Sequence, residues 1–305
     1  MPGPAPAAEP SPELVTLSRP EVLRLIEENG LRPSRALGQN FVADANTVRR
    51  IARLSGVGPG DSVVEVGAGL GSLTLALAET GARVTAVEKD RWLVPVLQRV
   101  LAERSPSPTA VTVVMADAMT LDWGALLAPP HGWALVANLP YNVATPLVAD
   151  LLDGCPAIDR MTFMVQREVA DRLVAGPGDP AYGAVSVKVS YWAEASFLGT
   201  VPPSVFVPRP RVGSALVGLR RRSKPAVDPS LVAPADLFRV VRAGFAQRRK
   251  MLRGALGAAG VPATVFEAAG VDGTLRAEQL SLADWGRLAA AVTRESPPTG
   301  GPAQP

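Results

Sequence analysis

Ser62-Val63-Val64-Glu65-Val66 runs directly into Gly67-Ala68-Gly69-Leu70-Gly71. A short β-branched run bounded by a glycine cluster predicts a buried strand that ends in a tight turn, with a helix to follow over about 70–79. Glycines at such a turn let backbone N–H groups approach a ligand closely, which makes Gly67 and Gly69 candidates for ligand contact. A turn built for a dinucleotide diphosphate wants its third glycine, or an alanine, at position 72. Here that position is Ser72 and the third glycine falls at 71. The spacing favours a nucleoside ligand without a diphosphate over a nicotinamide dinucleotide.

Downstream, strands are expected at Ser62–Val66, Arg83–Glu88, Val111–Met115 and Trp133–Asn138, and helices at about 70–79, 91–103 and 144–152. That alternation predicts an α/β fold with a doubly wound parallel sheet. A further strand over 160–165 leads to a helix at Arg167–Val174, and Gly176-Pro-Gly-Asp-Pro180 reads as a loop. Ala184–Trp192 is ambiguous: its β-branched residues suit a strand, its spacing a helix. The stretches 197–201 and Ser214–Arg221 are expected to close the sheet as an antiparallel edge. Upstream, a short helix over 20–29 is closed by Gly30, and Asp44 caps a helix to about Ser55. After a 223–234 linker, helices at about 235–247, 249–257, 262–269 and 281–294 form a small all-helical module. The expected organisation is a disordered Pro/Ala-rich tail over 1–17, an α/β domain over 18–222, a helical domain over 223–295 and a disordered tail over 296–305.

The chain has 305 residues, 47% of them hydrophobic, enough for one large or two modest cores. No apolar run approaches the roughly 18 residues of a membrane span, and the N-terminus has no basic region followed by an apolar one, so a signal peptide is not expected. A single cysteine, Cys155, excludes an internal disulfide and points to a reducing, cytoplasmic setting. The single histidine, His131, lies in a Pro-Pro-His-Gly turn, which argues against a histidine-based triad or metal site. No heptad or long apolar edge suggests anything but a monomer. The net charge is only +3, yet residues 205–253 carry twelve Lys/Arg against Asp228 and Asp236, a local balance of +10. That asymmetry points to a polyanionic partner for one face.

Three further strand ends carry chemistry. Val87-Glu88 places an acid where it accepts from both hydroxyls of a ribose. Asp117, in Ala116-Asp117-Ala118-Met119, is placed to accept from an adenine amine. At the fourth strand end, Asn138-Leu139-Pro140-Tyr141 projects an amide, a rigid turn and an aromatic ring together. The side-chain carbonyl of Asn138 and the main-chain carbonyl of Leu139 are suited to hold one exocyclic amine, and Tyr141 to stack on its ring. Four successive strand ends lining one cleft indicate S-adenosylmethionine as the ligand. Phe206, from Phe206-Val207-Pro208, is expected to sandwich the target base against Tyr141. Arg209 and Arg211 lie beside it in sequence. Arg248, Arg249 and Lys250, read as opening a helix, are expected to hold phosphates.

Nearly the whole ordered chain resembles the rRNA adenine N6-dimethyltransferases, most closely their bacterial small-subunit branch. The matching stretches are Leu37-Gly-Gln-Asn-Phe41, Val64-Glu-Val-Gly-Ala-Gly-Leu-Gly71, Asp117-Ala-Met119, Asn138-Leu-Pro-Tyr141, Gln166-Arg-Glu-Val-Ala170, Pro203-Ser-Val-Phe-Val-Pro208 and Gln247-Arg-Arg-Lys250. The resemblance implies a Rossmann-like methyltransferase domain with a helical C-terminal domain. It implies that Asn40, Val42, Gly67, Glu88, Asp117 and Asn138 contact cofactor or substrate. It also implies a target of two adjacent adenosines near the 3′ end of small-subunit (16S) rRNA, on a precursor of the 30S particle. The chain departs from the pattern at its N-terminal extension and at Ala68, where relatives often carry proline. Rival readings are a large-subunit rRNA dimethyltransferase of the macrolide-resistance type, whose Gln166–Leu173 and Gln247–Lys250 counterparts match less well, and a non-catalytic ribosome-assembly factor. A dinucleotide-dependent dehydrogenase is disfavoured by Ser72 and by the lack of a usable histidine.

Overall fold

The computed structural model describes residues 16–34, 38–105, 107, 110–128 and 131–295. Most of the expected 1–17 tail, and all of the 296–305 tail, lie outside the described residues. Thr16 and Leu17 correct that boundary: both are buried, and Leu17 shares an apolar cluster with Val22, Leu25 and Leu97.

Three elements come first: α1 (Arg19–Glu28), β1 (Phe41–Val42) and α2 (Ala45–Ser55). The alternating core follows as β2 (Ser62–Val66), α3 (Ser72–Ala78), β3 (Arg83–Glu88), α4 (Leu93–Arg104), β4 (Val111–Met115), α5 (Trp123–Leu126), β5 (Trp133–Asn138), α6 (Ala144–Gly154), β6 (Ile158–Gln166) and α7 (Arg167–Val174). Then come α8 (Ala184–Trp192), β7 (Ala193–Val201), β8 (Phe206–Val207) and β9 (Ser214–Arg221). The chain finishes with α9 (Pro234–Ala246), α10 (Leu252–Gly257), α11 (Thr264–Ala269) and α12 (Leu282–Glu295).

The main sheet has seven strands in the order β4-β3-β2-β5-β6-β9-β7, and β1 pairs with β8 in a separate two-stranded ribbon. The pairs from β4 to β6 are parallel, and β9 runs antiparallel to both of its neighbours. The reversed strand therefore sits inside the sheet, with β7 outside it as the edge. Alternate residues of the central strands face opposite sides, as the pleat requires. Val64, Leu135 and Ala137 pack against α6 and α7, whereas Val63, Ala134 and Val136 pack against α2 and α3. A strand covered on both faces has no polar side to show, which is why Trp133–Asn138 reads as a continuous apolar run. The order of strands reverses at β2, between β3 and β5, and the C-terminal ends of those three strands form one crevice, where an open α/β sheet takes its ligands.

Local signals set the helix limits. Asp44 accepts from the Thr47 N–H at 2.6 Å, and Gly56 closes α2 at φ 64°. The ambiguous stretch Ala184–Trp192 is α8, buried on two sides. Its Val189 packs against the sheet, whereas Val187 and Tyr191 enter the cluster of Phe238 and Trp285. Packing on both faces outweighs the β propensity of its valines. The 223–234 segment is not a free linker, because Val227 and Val232 are buried in the same cluster. Residues 247–251 form a turn between α9 and α10, so Arg248-Arg249-Lys250 precedes a helix without opening it. Among the described residues no helix is long and apolar enough to cross a membrane.

Candidate active site

The crevice is lined by Asn40, Val42, Gly67, Gly69, Glu88, Asp117 and Asn138, the seven residues expected to hold the cofactor, whereas Leu139, Tyr141 and Phe206, expected at the target base, are not among its lining residues. Its volume, counted out to open solvent, is about 1070 Å³.

Gly67 and Gly69 hold φ of +75° and +59°, backbone conformations that an L side chain rarely adopts. A Cβ at position 69 would also lie 3.1 Å from the Phe41 ring, so the turn and the 38–42 segment close on each other only because that position is bare. The Gly69 N–H donates to Glu88 Oε2 at 2.8 Å and the Asp90 N–H to Glu88 Oε1 at 2.9 Å. Burial pushes the Glu88 carboxyl above the usual carboxylate range, while the N–H groups of Asp90, Gly69 and Lys89 oppose the shift. Each of its oxygens keeps a lone pair for an incoming hydroxyl. Asp117 is more open. Lys89 Nζ lies 2.6 Å from its Oδ2, and the Met119 N–H donates to its Oδ1 at 3.0 Å. The hydrogen bond from Lys89, followed by that from Met119, holds this carboxyl below its ordinary value.

Asn138 ends β5, and its Nδ2 donates to the Asn40 carbonyl at 3.1 Å. That bond fixes the orientation of the amide and leaves Oδ1 as the free acceptor at the crevice. The Leu139 N–H is held by the Met164 carbonyl, and the Pro140 carbonyl accepts from the N–H groups of Val143 and Ala144. Among the described residues no donor reaches the Leu139 carbonyl. The Leu139 side chain is buried in the core. Tyr141 is half-buried, its hydroxyl 2.7 Å from Ser214 Oγ at the head of β9. Burial raises the Tyr141 pKa, with Ser214 opposing.

Two expectations need correction. Phe206 does not reach the crevice: it is fully buried in β8, opposite Val42, in the cluster of Val48, Ile51 and Leu73. Ribbon pairing with β1 turns its ring inward, so core packing accounts for it and the base clamp has no Phe206 face in this conformation. Arg248 is already engaged, with its Nε 3.0 Å from Glu278 Oε2 and a further hydrogen bond to the Pro180 carbonyl. It ties the 247–251 turn to the 176–180 loop. Arg249 and Lys250 are exposed on the same turn, and Arg209 and Arg211 are exposed on the loop that leads to Ser214. Three more of the twelve basic residues over 205–253 are similarly committed: Arg222 to Glu194, Arg239 to Asp236, and Arg221 to main-chain carbonyls. Arg221 donates to the carbonyls of Leu151, Leu152, Cys155 and Ile158, closing the end of α6.

Gln39, Glu65, Ser72, Lys89 and Asp90 also line the crevice without having been singled out. Gln39 Nε2 donates to Asp90 Oδ2 at 2.7 Å, which fastens the 38–42 segment across the end of β3. Glu65 carried a signal of its own: an acid in the middle of a strand that is otherwise apolar.

A family model described as ribosomal RNA adenine dimethylase matches residues 31–294. Two bacterial proteins named ribosomal RNA small subunit methyltransferase A are similar to the chain. That of Kineococcus radiotolerans is 51% identical over 278 residues, covering 90% of this chain and 91% of its own length. That of Cutibacterium acnes is 47% identical over 285 residues, covering 91% and 95%. Among solved structures, the 23S rRNA methyltransferase ErmE matches with a TM-score of 0.63 at 27% identity, covering 83% of this chain and 100% of that one. A dimethyladenosine transferase from Plasmodium falciparum shares the fold, with a TM-score of 0.65 at 23% identity over 80% of this chain and 94% of its own.

Proposed function

The chain belongs to the ribosomal RNA adenine dimethylase family, and on that premise we propose that it transfers methyl groups from S-adenosylmethionine to the N6 amines of two adjacent adenosines near the 3′ end of 16S rRNA. The observation that carries this reading is the state of Asn138, whose Nδ2 is spent on the Asn40 carbonyl, leaving Oδ1 as the amide's acceptor at the crevice. Two acceptors and no base are what an aromatic amine needs.

When bound, S-adenosylmethionine would supply a sulfonium methyl: the S–C bond breaks as the N–C bond forms, the positive charge passes from sulfur to N6, and the strongly acidic aminium then loses its proton to water, so a strong base beside the nucleophile is unnecessary. Glu88 takes the ribose hydroxyls, Asp117 the adenine amine of the donor, and the Gly67–Gly69 turn its methionyl end, with Asn40 and Val42 flanking. Asn138 Oδ1 and the Leu139 carbonyl accept from the N6 hydrogens of the target, which favours a pyramidal nitrogen and aims its lone pair. This is orientation combined with electrostatic preorganisation. Tyr141, anchored by Ser214, stacks on the base once it has left its helix. A monomethylated amine still has one N–H for Asn138, so the same site serves both transfers. Arg209, Arg211, Arg249 and Lys250 position the RNA through its phosphates.

The reading places the protein in the cytoplasm, acting as a monomer on a small-subunit precursor. The large-subunit alternative is supported by 27% identity to ErmE, against 51% to the small-subunit relative. The deciding experiment supplies the purified protein and S-adenosylmethionine to small-subunit particles lacking dimethyladenosine and, separately, to free large-subunit rRNA. Mass spectrometry should find dimethyladenosine in the former. Methylation of the large-subunit RNA alone would reverse the assignment, and binding without any methylation would favour the assembly-factor reading.

A further inference from the structure

Trp92 is the most exposed large apolar side chain among the described residues, 67% open to solvent. It stands at the head of α4, just beyond Glu88, at the end of the sheet where the crevice opens. Lys89, Asp90 and Leu93 line the crevice, whereas Trp92 does not. The ring therefore serves neither the core nor the donor site. An indole left in water forgoes a large gain from burial, and the turn that carries this one is firmly built. The Trp92 N–H donates to Asp90 Oδ1 at 2.9 Å, Gln39 Nε2 donates to Asp90 Oδ2 at 2.7 Å, and the N–H groups of Leu93 and Val94 donate to the Asp90 carbonyl. The Arg91 guanidinium carbon lies 4.9 Å from the centre of the ring. An arginine laid against an indole makes a flat surface that is both aromatic and cationic.

The positive charge around this ring is unspent. Lys89 is held by Asp117, and Asp90 has one oxygen on Gln39 and the other on the Trp92 N–H. Among the described residues no carboxylate pairs with Arg91 or Arg32. Arg32 is exposed on the segment that the Ser34 N–H ties to Gln39, and through Gln39 to Asp90. Arg99 of α4 donates to the Asn29 side-chain carbonyl and to no carboxylate. The strand order sets this turn across the crevice from the loop of Arg209 and Arg211. Their strands, β3 and β9, stand four places apart in the sheet, roughly 19 Å at about 4.8 Å per strand. Cations thus flank the crevice on both sides, and a polyanion crossing its mouth meets positive charge at each end.

We propose that Trp92, backed by Arg91, is a stacking platform for an unpaired base of the rRNA that lies apart from the target adenosines. Every base presents a π-face, so the platform is indifferent to sequence and suits a strand whose bases are splayed out of a helix. RNA fits better than a protein surface because the guanidinium groups around the indole lack carboxylates, and phosphates supply their counter-charge. The proposal rests on rRNA being the substrate, as read above, and adds a second point of attachment remote from the reacting amine. A remote contact of this kind is made equally before and during methyl transfer, so it governs substrate affinity and leaves the chemical step alone.

Full-length Trp92→Ala, Trp92→Leu and Trp92→Phe test it on small-subunit particles lacking dimethyladenosine. KM for the particles should rise about 5- to 150-fold in Trp92→Ala and Trp92→Leu, the range for one stacked base. Both kcat and the calorimetric affinity for S-adenosylmethionine should stay within about twofold of native. Trp92→Phe keeps a ring and should recover most of the loss. Protein-free 16S rRNA should quench the tryptophan emission of the native protein but scarcely that of Trp92→Phe, since the other tryptophans are buried or half-buried. An unchanged KM in Trp92→Ala overturns the proposal, as does a native KM in Trp92→Leu, which would mark a merely apolar contact. Quenching by particles but not by protein-free rRNA would assign the ring to a ribosomal protein and overturn it as well. Should the native protein methylate no small-subunit rRNA, the substrate reading falls by itself, and the quenching experiment still decides the platform.

Discussion

Replacing Asn138 with alanine isolates the step proposed for it. The substitution removes two things: the 3.1 Å bond from Nδ2 to the Asn40 carbonyl, and the open Oδ1 acceptor. The first is a neutral bond to the segment that covers the crevice, with a net contribution of roughly 0.5–1.5 kcal/mol. Glu88, Asp117 and the glycine turn remain, so donor affinity should fall no more than about tenfold. The second is a preorganised partner of the reacting group, and loss of such a partner typically slows the chemical step by about 10²–10³-fold, or roughly 2.7–4 kcal/mol. The expected result is therefore a split: a small change in the dissociation constant of S-adenosylmethionine by calorimetry, and a large drop in single-turnover methyl transfer to small-subunit particles. Wild-type turnover would remove Asn138 from the reaction. A loss of turnover that merely tracked a loss of donor binding would make it a cofactor ligand and nothing more.

Glu88→Ala should reduce donor binding by at least about 100-fold, since it deletes the proposed ribose acceptor and strands the N–H groups of Gly69 and Asp90. Calorimetry measures it directly. Neutralising Arg209, Arg211, Arg249 and Lys250 together should flatten the salt dependence of RNA binding by about 0.7–0.9 per lost phosphate contact. Arg248→Ala should leave that slope alone and instead lower the thermal midpoint, because its guanidinium is held by Glu278 and Pro180. Although burial opposes it, hydrogen bonds from Arg104 and Ser18 hold the Glu21 carboxyl down to about 2. A depressed carboxyl contributes stability that is complete above its ordinary value of 4.5 and is lost as the pH falls through about 2. The stability gap between the native protein and Glu21→Gln in denaturant titrations should therefore close over that window. Gly244→Ala would place a Cβ 2.5 Å from the Trp285 ring, and the resulting strain of roughly 1–3 kcal/mol outweighs the helix propensity gained in α9. Its thermal midpoint should drop.

The parallel core was legible because its strands are short apolar runs that each end in a residue unlike the run: Gly67, Glu88, Asn138. Those same residues line the crevice, so reading the fold and reading the site drew on one signal. α8 was not legible, because its conformation is decided by packing against both the sheet and the C-terminal helices, which no local pattern records. Phe206 was misread for a related reason. A Phe beside prolines looks unsuited to regular structure, yet a two-residue ribbon with β1 is enough to bury it. The basic segment was legible as charge but not as partnership. Arg221 and Arg248 are spent within the molecule, and sequence does not distinguish an arginine facing solvent from one closing a helix.

The bond between Tyr141 and Ser214 links two parts of the molecule that are far apart in sequence. Arg211 stands three residues before that serine, at the end of the loop proposed to grasp phosphates. In the proposed complex, a backbone drawn toward Arg211 pulls on the same short tether that steadies the stacking ring. Grip and aim thus share a lever, and lengthening this loop by even one residue should loosen the accuracy of methylation before it loosens the hold on RNA.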